Sequence, residues 1–323
     1  MSHTHENRDD KVSLVEMGPR DGLQNETATL SLAQRLALIA RLAESGLQRI
    51  EVGAFVSPKK VPQMADSAAL FNALPRRGPT RYAALVPNLQ GLQTAIAARA
   101  DEIGLFTACS DGFTRANIGI SVEESLVRFA PLVQEARSLG IKVRGYLSTV
   151  IACPFDGPTR PKRVAALAER LLDLGCHEIS LGDTIGVGTP GTVAPMLDAV
   201  LHEIPAGRLA VHFHDTYGQG LANLLPALER GIRTIDCSVA GLGGCPYAPG
   251  ASGNVASEEV VYLLHGLGMS TGVDLDQLAA TGQWVSELLG RPNGSRVGQA
   301  LHGRGRRLAQ EREQRTPGGH HAS

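Results

Sequence analysis

Between Val12 and about Gly268 the chain alternates short β-branched or apolar runs with longer helical patterns. This alternation constrains the fold more than any other feature, because strands joined by crossover helices must run parallel in one sheet. The runs are Val12–Gly18, Arg49–Phe55, Arg81–Pro87, Glu102–Thr107, Lys142–Thr149, Glu178–Asp183, Leu209–Asp215 and Thr234–Ala240. Between them lie amphipathic segments such as Leu32–Ser45, Val122–Leu139, Arg163–Leu174 and Leu221–Glu229. Glycines suited to a left-handed helix cap, Gly46, Gly140, Gly175 and Gly231, close these segments. Eight β/α units in a chain of this length predict an α/β fold of the closed (β/α)8 or TIM-barrel type, since a doubly wound open sheet usually has fewer strands.

The domain reading follows. Residues 1–11 form a flexible N-terminus, 12–270 the catalytic barrel, 271–303 an additional C-terminal helical segment, and 304–323 a disordered tail rich in Arg, Gly and polar residues. The C-terminal segment includes Leu275–Leu289 and the only tryptophan, Trp284. Charge excludes some partners: 31 basic residues against 32 acidic ones give a net of −1, which offers nothing to attract nucleic acid or an anionic membrane surface. No apolar run reaches the roughly 20 residues that a membrane span needs, and Met1–Lys11 has no signal-peptide pattern, so a cytoplasmic protein is expected. The five cysteines are widely spaced and form no C-x-x-C pair, which argues against a disulfide framework.

In such barrels the active site lies where strands end and the following loops begin. Arg20 and Asp21 follow the first strand, Glu51 lies in the second, Asp183 ends the sixth, and His212, His214 and Asp215 end the seventh. Strand side chains alternate, so His212 and His214 share one face. An inward face is expected to hold aliphatic layers, and two inward imidazoles near its upper end suit a metal better than packing. A hydrogen-bonded histidine pair is the plainer alternative. Asp21 would approach the seventh strand across the eighth, although a turn role is the ordinary reading of aspartate in Gly18-Pro19-Arg20-Asp21-Gly22. Arg20 likewise has the ordinary alternative of pairing with a nearby acid. The stretch Gly241 to Asn254 contains five glycines, so it reads as a loop over the site. It carries Cys245, either an inert buried thiol or a reactive one brought onto substrate.

Several segments together resemble the hydroxymethylglutaryl-CoA lyase family. They are Gly18 through Glu26, Phe55-Val56-Ser57-Pro58-Lys59, Ser180 through Gly191, His212 through Gln219, and the Cys245 loop, in an order that extends from about Val12 to Leu301. The resemblance implies a divalent cation, Mg²⁺ or Mn²⁺, held by Asp21, His212, His214 and Asn254. It implies an acyl-CoA substrate, 3-hydroxy-3-methylglutaryl-CoA, split into acetyl-CoA and acetoacetate as in leucine breakdown, and a homodimer joined near the C-terminal helix. Arg20 would bind substrate and stabilise the enolate, Cys245 would be the catalytic cysteine, Glu51, Asp183 and His212 would carry or support proton transfer, and Ser180 would bind substrate or order the site. Met17, Ala54 and Lys60 depart from the family pattern without touching these ligands. Lys60 borders the expected nucleotide region and offers a cation for a CoA phosphate. Two further readings use the same barrel: a lyase for a related 3-hydroxyacyl-CoA, and a condensing synthase of the isopropylmalate or homocitrate type. The Cys245 loop and the lack of a large C-terminal regulatory domain set the synthases apart.

Overall fold

A computed structural model describes residues 10–76, 78–244 and 253–315, with side chains as far as Arg307. All eight expected strands form: β1 (Ser13–Glu16), β2 (Arg49–Ala54), β3 (Arg81–Leu85), β4 (Glu102–Ala108), β5 (Lys142–Ser148), β8 (Glu178–Asp183), β9 (Leu209–Phe213) and β10 (Thr234–Cys237). They pair in parallel in the order β1-β10-β9-β8-β5-β4-β3-β2 and close into a barrel. A small antiparallel hairpin, β6 (Ala152–Cys153) with β7 (Gly157–Pro158), sits in the connection after β5 and has no counterpart in the sequence reading. Around the barrel run α1 (Leu32–Glu44), α2 (Ser67–Ala73), α3 (Leu89–Ala97), α4 (Asp111–Ile118), α5 (Val122–Ser138), α6 (Pro161–Leu174), α7 (Pro190–Glu203), α8 (Gly220–Glu229) and α9 (Ser257–Gly266). Among the described residues, no helix is long and apolar enough to cross a membrane.

Local chemistry explains the element ends. Ser31 and Gln34, and again Ser121 and Glu124, form capping boxes that satisfy the first amides of α1 and α5. α6 stops at Gly175, whose φ of 113° is costly for any residue with a Cβ. β1 ends at Glu16, two residues before its expected limit. Beyond it, Gly18–Gly22 makes a single π-helical turn in which the Gly22 amide donates to the Met17 carbonyl at 3.1 Å. That turn lifts Arg20 and Asp21 to the barrel mouth.

The main apolar core lies outside the strands, where residues such as Ile50, Val52, Ile103, Val143, Ile179 and Val211 meet the helices. The barrel interior departs from the aliphatic layers expected for it. Val15 and Met17, with the partly buried Leu85, form a small apolar patch there, packed against Tyr146. The rest is an ion-paired column. Near its base Arg49 pairs with Glu102 and Glu178, Arg144 pairs with Glu178 and Asp236, and Tyr146 donates to Glu51 at 2.9 Å. Charges this deep persist only when paired and hydrogen-bonded, and each guanidinium here meets at least one carboxylate. Burial alone would raise the Glu178 carboxyl, but Arg144 and Arg49 overrule it and hold the group down to about 2. Gly104 makes room for this arrangement, since a Cβ there would fall 2.4 Å from the Tyr146 ring. We expect Gly104→Ala to lower stability by about 1–3 kcal/mol, the usual cost of overpacking, measured as a lower urea midpoint at an unchanged slope. An unshifted midpoint would show that Tyr146 yields freely.

The C-terminal segment contributes α10 (Leu275–Leu288) and α11 (Arg296–Arg315). Arg41 of α1 stacks over Trp284 of α10 at 4.6 Å, a cation–π contact that helps seat α10 on the barrel. α11 runs on to Arg315, where composition predicts a disordered tail from Arg304. Its start is well satisfied, with the Gly298 amide donating to Ser295 Oγ and the Arg296 amide to Glu259, and Leu, Ala, Gln, Glu and Arg beyond Arg307 favour helix.

Candidate metal centre and active site

β1, β9 and the segment after β10 deliver the expected ligands to one point. Asp21 sits on the π-turn after β1, His212 lies in β9, and His214 follows at its end. Potential ligand atoms of Asp21, His212 and His214 all lie within 4.8 Å of one another. His212 Nε2 and His214 Nε2 face each other at 3.3 Å. Asn254 joins them through a β-bridge to His214, and its amide donates to Asp21 Oδ2 at 2.9 Å.

The donor set fits a divalent cation. Asn254 Oδ1 and His214 Nδ1 are buried without a hydrogen-bond partner, so the amide oxygen is a free donor at the cluster. Burial, reinforced by His212, pushes the His214 imidazole down to about 4, which leaves it neutral with a lone pair for a metal near neutral pH. For Asp21 burial opposes ionisation, but Arg20 and the two histidines hold its carboxyl below the usual range. With all groups ionised, Arg20, Arg49 and Arg144 face Asp21, Glu51, Glu102, Glu178 and Asp236. Mixed imidazole, carboxylate and amide oxygen donors suit a cation such as Mg²⁺ or Mn²⁺.

Arg20 sits beside the cluster, buried, with its Nε donating to Glu51 at 2.5 Å and Nη1 to Asp21 at 2.9 Å. Neither ion pair uses Nη2, and the side chain lines a cavity of about 470 Å³. Asp21, His212, His214, Ser180, Tyr146 and Lys60 also line this cavity, and its lining includes the apolar side chains of Leu85, Phe106, Phe113 and Ile118.

Other expected residues take less direct places. Glu51 is fully buried behind Arg20 and outside the cavity lining; burial raises its carboxyl pKa despite Arg20 and Tyr146. Asp183 is likewise buried, its Oδ2 accepting from the Gly188 amide at 2.7 Å while Oδ1 has no partner. Its pKa is raised, with burial prevailing over the amides of Gly186 to Gly188. Ser180 directs its hydroxyl proton to Asp236 at 2.7 Å. Cys245 lies outside the described residues, as does most of the glycine-rich stretch, although Gly244 reaches the cavity and its carbonyl accepts from Asn25 at 3.2 Å.

The sequence reading missed Arg144, Tyr146 and Asp236. Asp236 sits in β10 with its Cα in register with His212, and Arg144 lies in β5. The available signal was a charge in the middle of an apolar strand.

A family model described as HMGL-like matches residues 11–285. The 3-hydroxy-3-isohexenylglutaryl-CoA/hydroxy-methylglutaryl-CoA lyase of Pseudomonas aeruginosa is 52% identical over 90% of this chain and 97% of its own length. The mitochondrial hydroxymethylglutaryl-CoA lyase of Arabidopsis thaliana is 52% identical over 91% of this chain, which spans 63% of that protein's length. A crystal structure of hydroxymethylglutaryl-CoA lyase from Pseudomonas aeruginosa superposes with a TM-score of 0.89 at 52% identity, covering 91% of this chain and 98% of that one.

Proposed function

The chain belongs to the HMGL-like family, and from that premise we propose that it is a lyase that cleaves 3-hydroxy-3-methylglutaryl-CoA into acetyl-CoA and acetoacetate, with Asp21, His212, His214 and Asn254 holding a divalent cation, Mg²⁺ or Mn²⁺. The observation that carries this reading is the convergence of Asp21 and the two imidazoles beside a buried arginine that lines the cavity. A bound divalent cation supplies Lewis acidity that lowers the pKa of a coordinated hydroxyl.

The rest of the chemistry falls to side chains of the chain itself. Cleavage breaks the bond between C2 and C3, takes the proton from the C3 hydroxyl, and leaves the acetyl-CoA fragment as an enolate that must be reprotonated. We assign that enolate to Arg20: Glu51 and Asp21 fix the guanidinium, and Nη2 remains for an oxygen whose charge appears only as the bond breaks. Asp183 and Cys245 are the groups we assign to the two proton transfers. Lys60, at the cavity lining, is a cation for a CoA phosphate. A cytoplasmic site of action and a homodimer joined near the C-terminal helices belong to the same proposal, the homodimer resting on the resemblance.

Purified protein with Mg²⁺ or Mn²⁺, a reducing agent and hydroxymethylglutaryl-CoA should yield acetyl-CoA and acetoacetate in equal amounts, and a chelator should stop it. No product under those conditions would overturn the assignment. The apolar lining of Leu85, Phe106, Phe113 and Ile118 favours a second reading, in which the 3-methyl group gives way to a longer alkyl chain. The isohexenyl homologue, run in the same assay, separates the two by kcat/KM.

A further inference from the structure

His212 and His214 converge through their Nε2 atoms, yet their other nitrogens meet different surroundings. His214 Nδ1 is buried with no partner. His212 Nδ1 lies 3.3 Å from Asp236 Oδ2, near a hydrogen bond though not aligned as one. Asp236 is itself fixed from three directions. Arg144 grips it with Nη2 to Oδ1 at 2.7 Å and Nη1 to Oδ2 at 3.0 Å, and the Ser180 hydroxyl donates to Oδ2 at 2.7 Å. Glu178 holds Arg144 from the other side at 2.7 Å. A carboxylate in this position accepts a proton on Nδ1 and leaves the Nε2 lone pair for the cluster.

We infer that Asp236, clamped by Arg144 and Ser180, is a positioning residue that sets the tautomer and ring orientation of His212, so that His212 is the stronger imidazole ligand and His214 the weaker. The inference rests on the metal reading above. It also links the two halves of the site: Arg144 Nη1 lies 3.4 Å from the Tyr146 hydroxyl, which donates to Glu51, which in turn holds Arg20. One buried hydrogen-bonded chain thus runs from Asp236, beside the ligand His212, to the arginine at the cavity.

Asp236→Asn is the decisive variant, because Asn is isosteric, keeps an oxygen among the Arg144 and Ser180 donors, and removes the negative charge that favours a proton on His212 Nδ1. Without that charge the proton shifts to Nε2, where it blocks ligation. In calorimetric titration of the full-length, metal-free chain with Mn²⁺, the variant should bind about 10- to 100-fold more weakly than wild type. The imidazole ¹⁵N spectrum should place the His212 proton on Nδ1 in wild type and on Nε2 in the variant, with His214 unchanged. Equal Mn²⁺ affinity and an unaltered His212 tautomer would overturn the inference. If wild type itself binds no Mn²⁺, the metal reading fails instead, which keeps the two failures distinct. If Asp236→Asn does not fold, the wild-type spectrum alone decides, since a proton on His212 Nε2 contradicts the inference. Ser180→Ala, which removes one bond to Asp236 and no charge, should then weaken Mn²⁺ binding by only a few-fold.

Discussion

Arg20→Gln lowers kcat for hydroxymethylglutaryl-CoA by about 10²- to 10³-fold, the loss typical when one donor to a developing oxyanion is removed, and leaves cation affinity within a few-fold of wild type. The fold survives this change. Glu51 keeps the Tyr146 hydroxyl, and burial already raises its pKa, so it can take up a proton when the guanidinium is gone instead of remaining a stranded charge. Arg20→Lys recovers little, because a single ammonium cannot hold Glu51 and Asp21 through separate nitrogens and still present another to the substrate. Steady-state rates with parallel Mn²⁺ titrations test this. A loss confined to KM would assign Arg20 to ground-state binding and remove it from enolate stabilisation.

Asp21→Asn weakens cation binding by more than about 100-fold, the upper end of what loss of an outer partner costs, because it takes the only anion from the ligand cluster. Geometry is preserved by the isosteric swap, and the Asn254 amide can still find a carbonyl oxygen at position 21. The defect is therefore one of occupancy: turnover vanishes at micromolar Mn²⁺ and returns in part at millimolar concentrations. An activation midpoint equal to that of wild type would exclude Asp21 as a ligand.

Much of this molecule was legible because periodicity reports directly on strand and helix. The alternating runs located every barrel strand, and the H-x-H spacing of His212 and His214 put both rings on one face, as β9 does. Asp21 was ambiguous by itself, since aspartate between glycines is an ordinary turn residue. Closure of the barrel resolved it by bringing β1 beside β10 and β10 beside β9. What the sequence concealed is the interior. Arg144, Glu178 and Asp236 come from three strands, and a charge within an apolar strand does not by itself name its partners. Only the register that sets Asp236 beside His212 shows them to be a buried support for the ligands. The π-turn at Gly18–Gly22 was hidden for a similar reason, because its bonds depend on backbone geometry that many residue types allow.

The proposed function requires one cation held jointly by the first, seventh and eighth strand ends. Anomalous diffraction from crystals grown with Mn²⁺ locates that cation. We expect a single strong peak within coordination distance of the Asp21 carboxylate, Nε2 of both His212 and His214, and Asn254 Oδ1. A protein that binds Mn²⁺ in solution yet shows its peak elsewhere, with those side chains still hydrogen-bonded to one another, would contradict it.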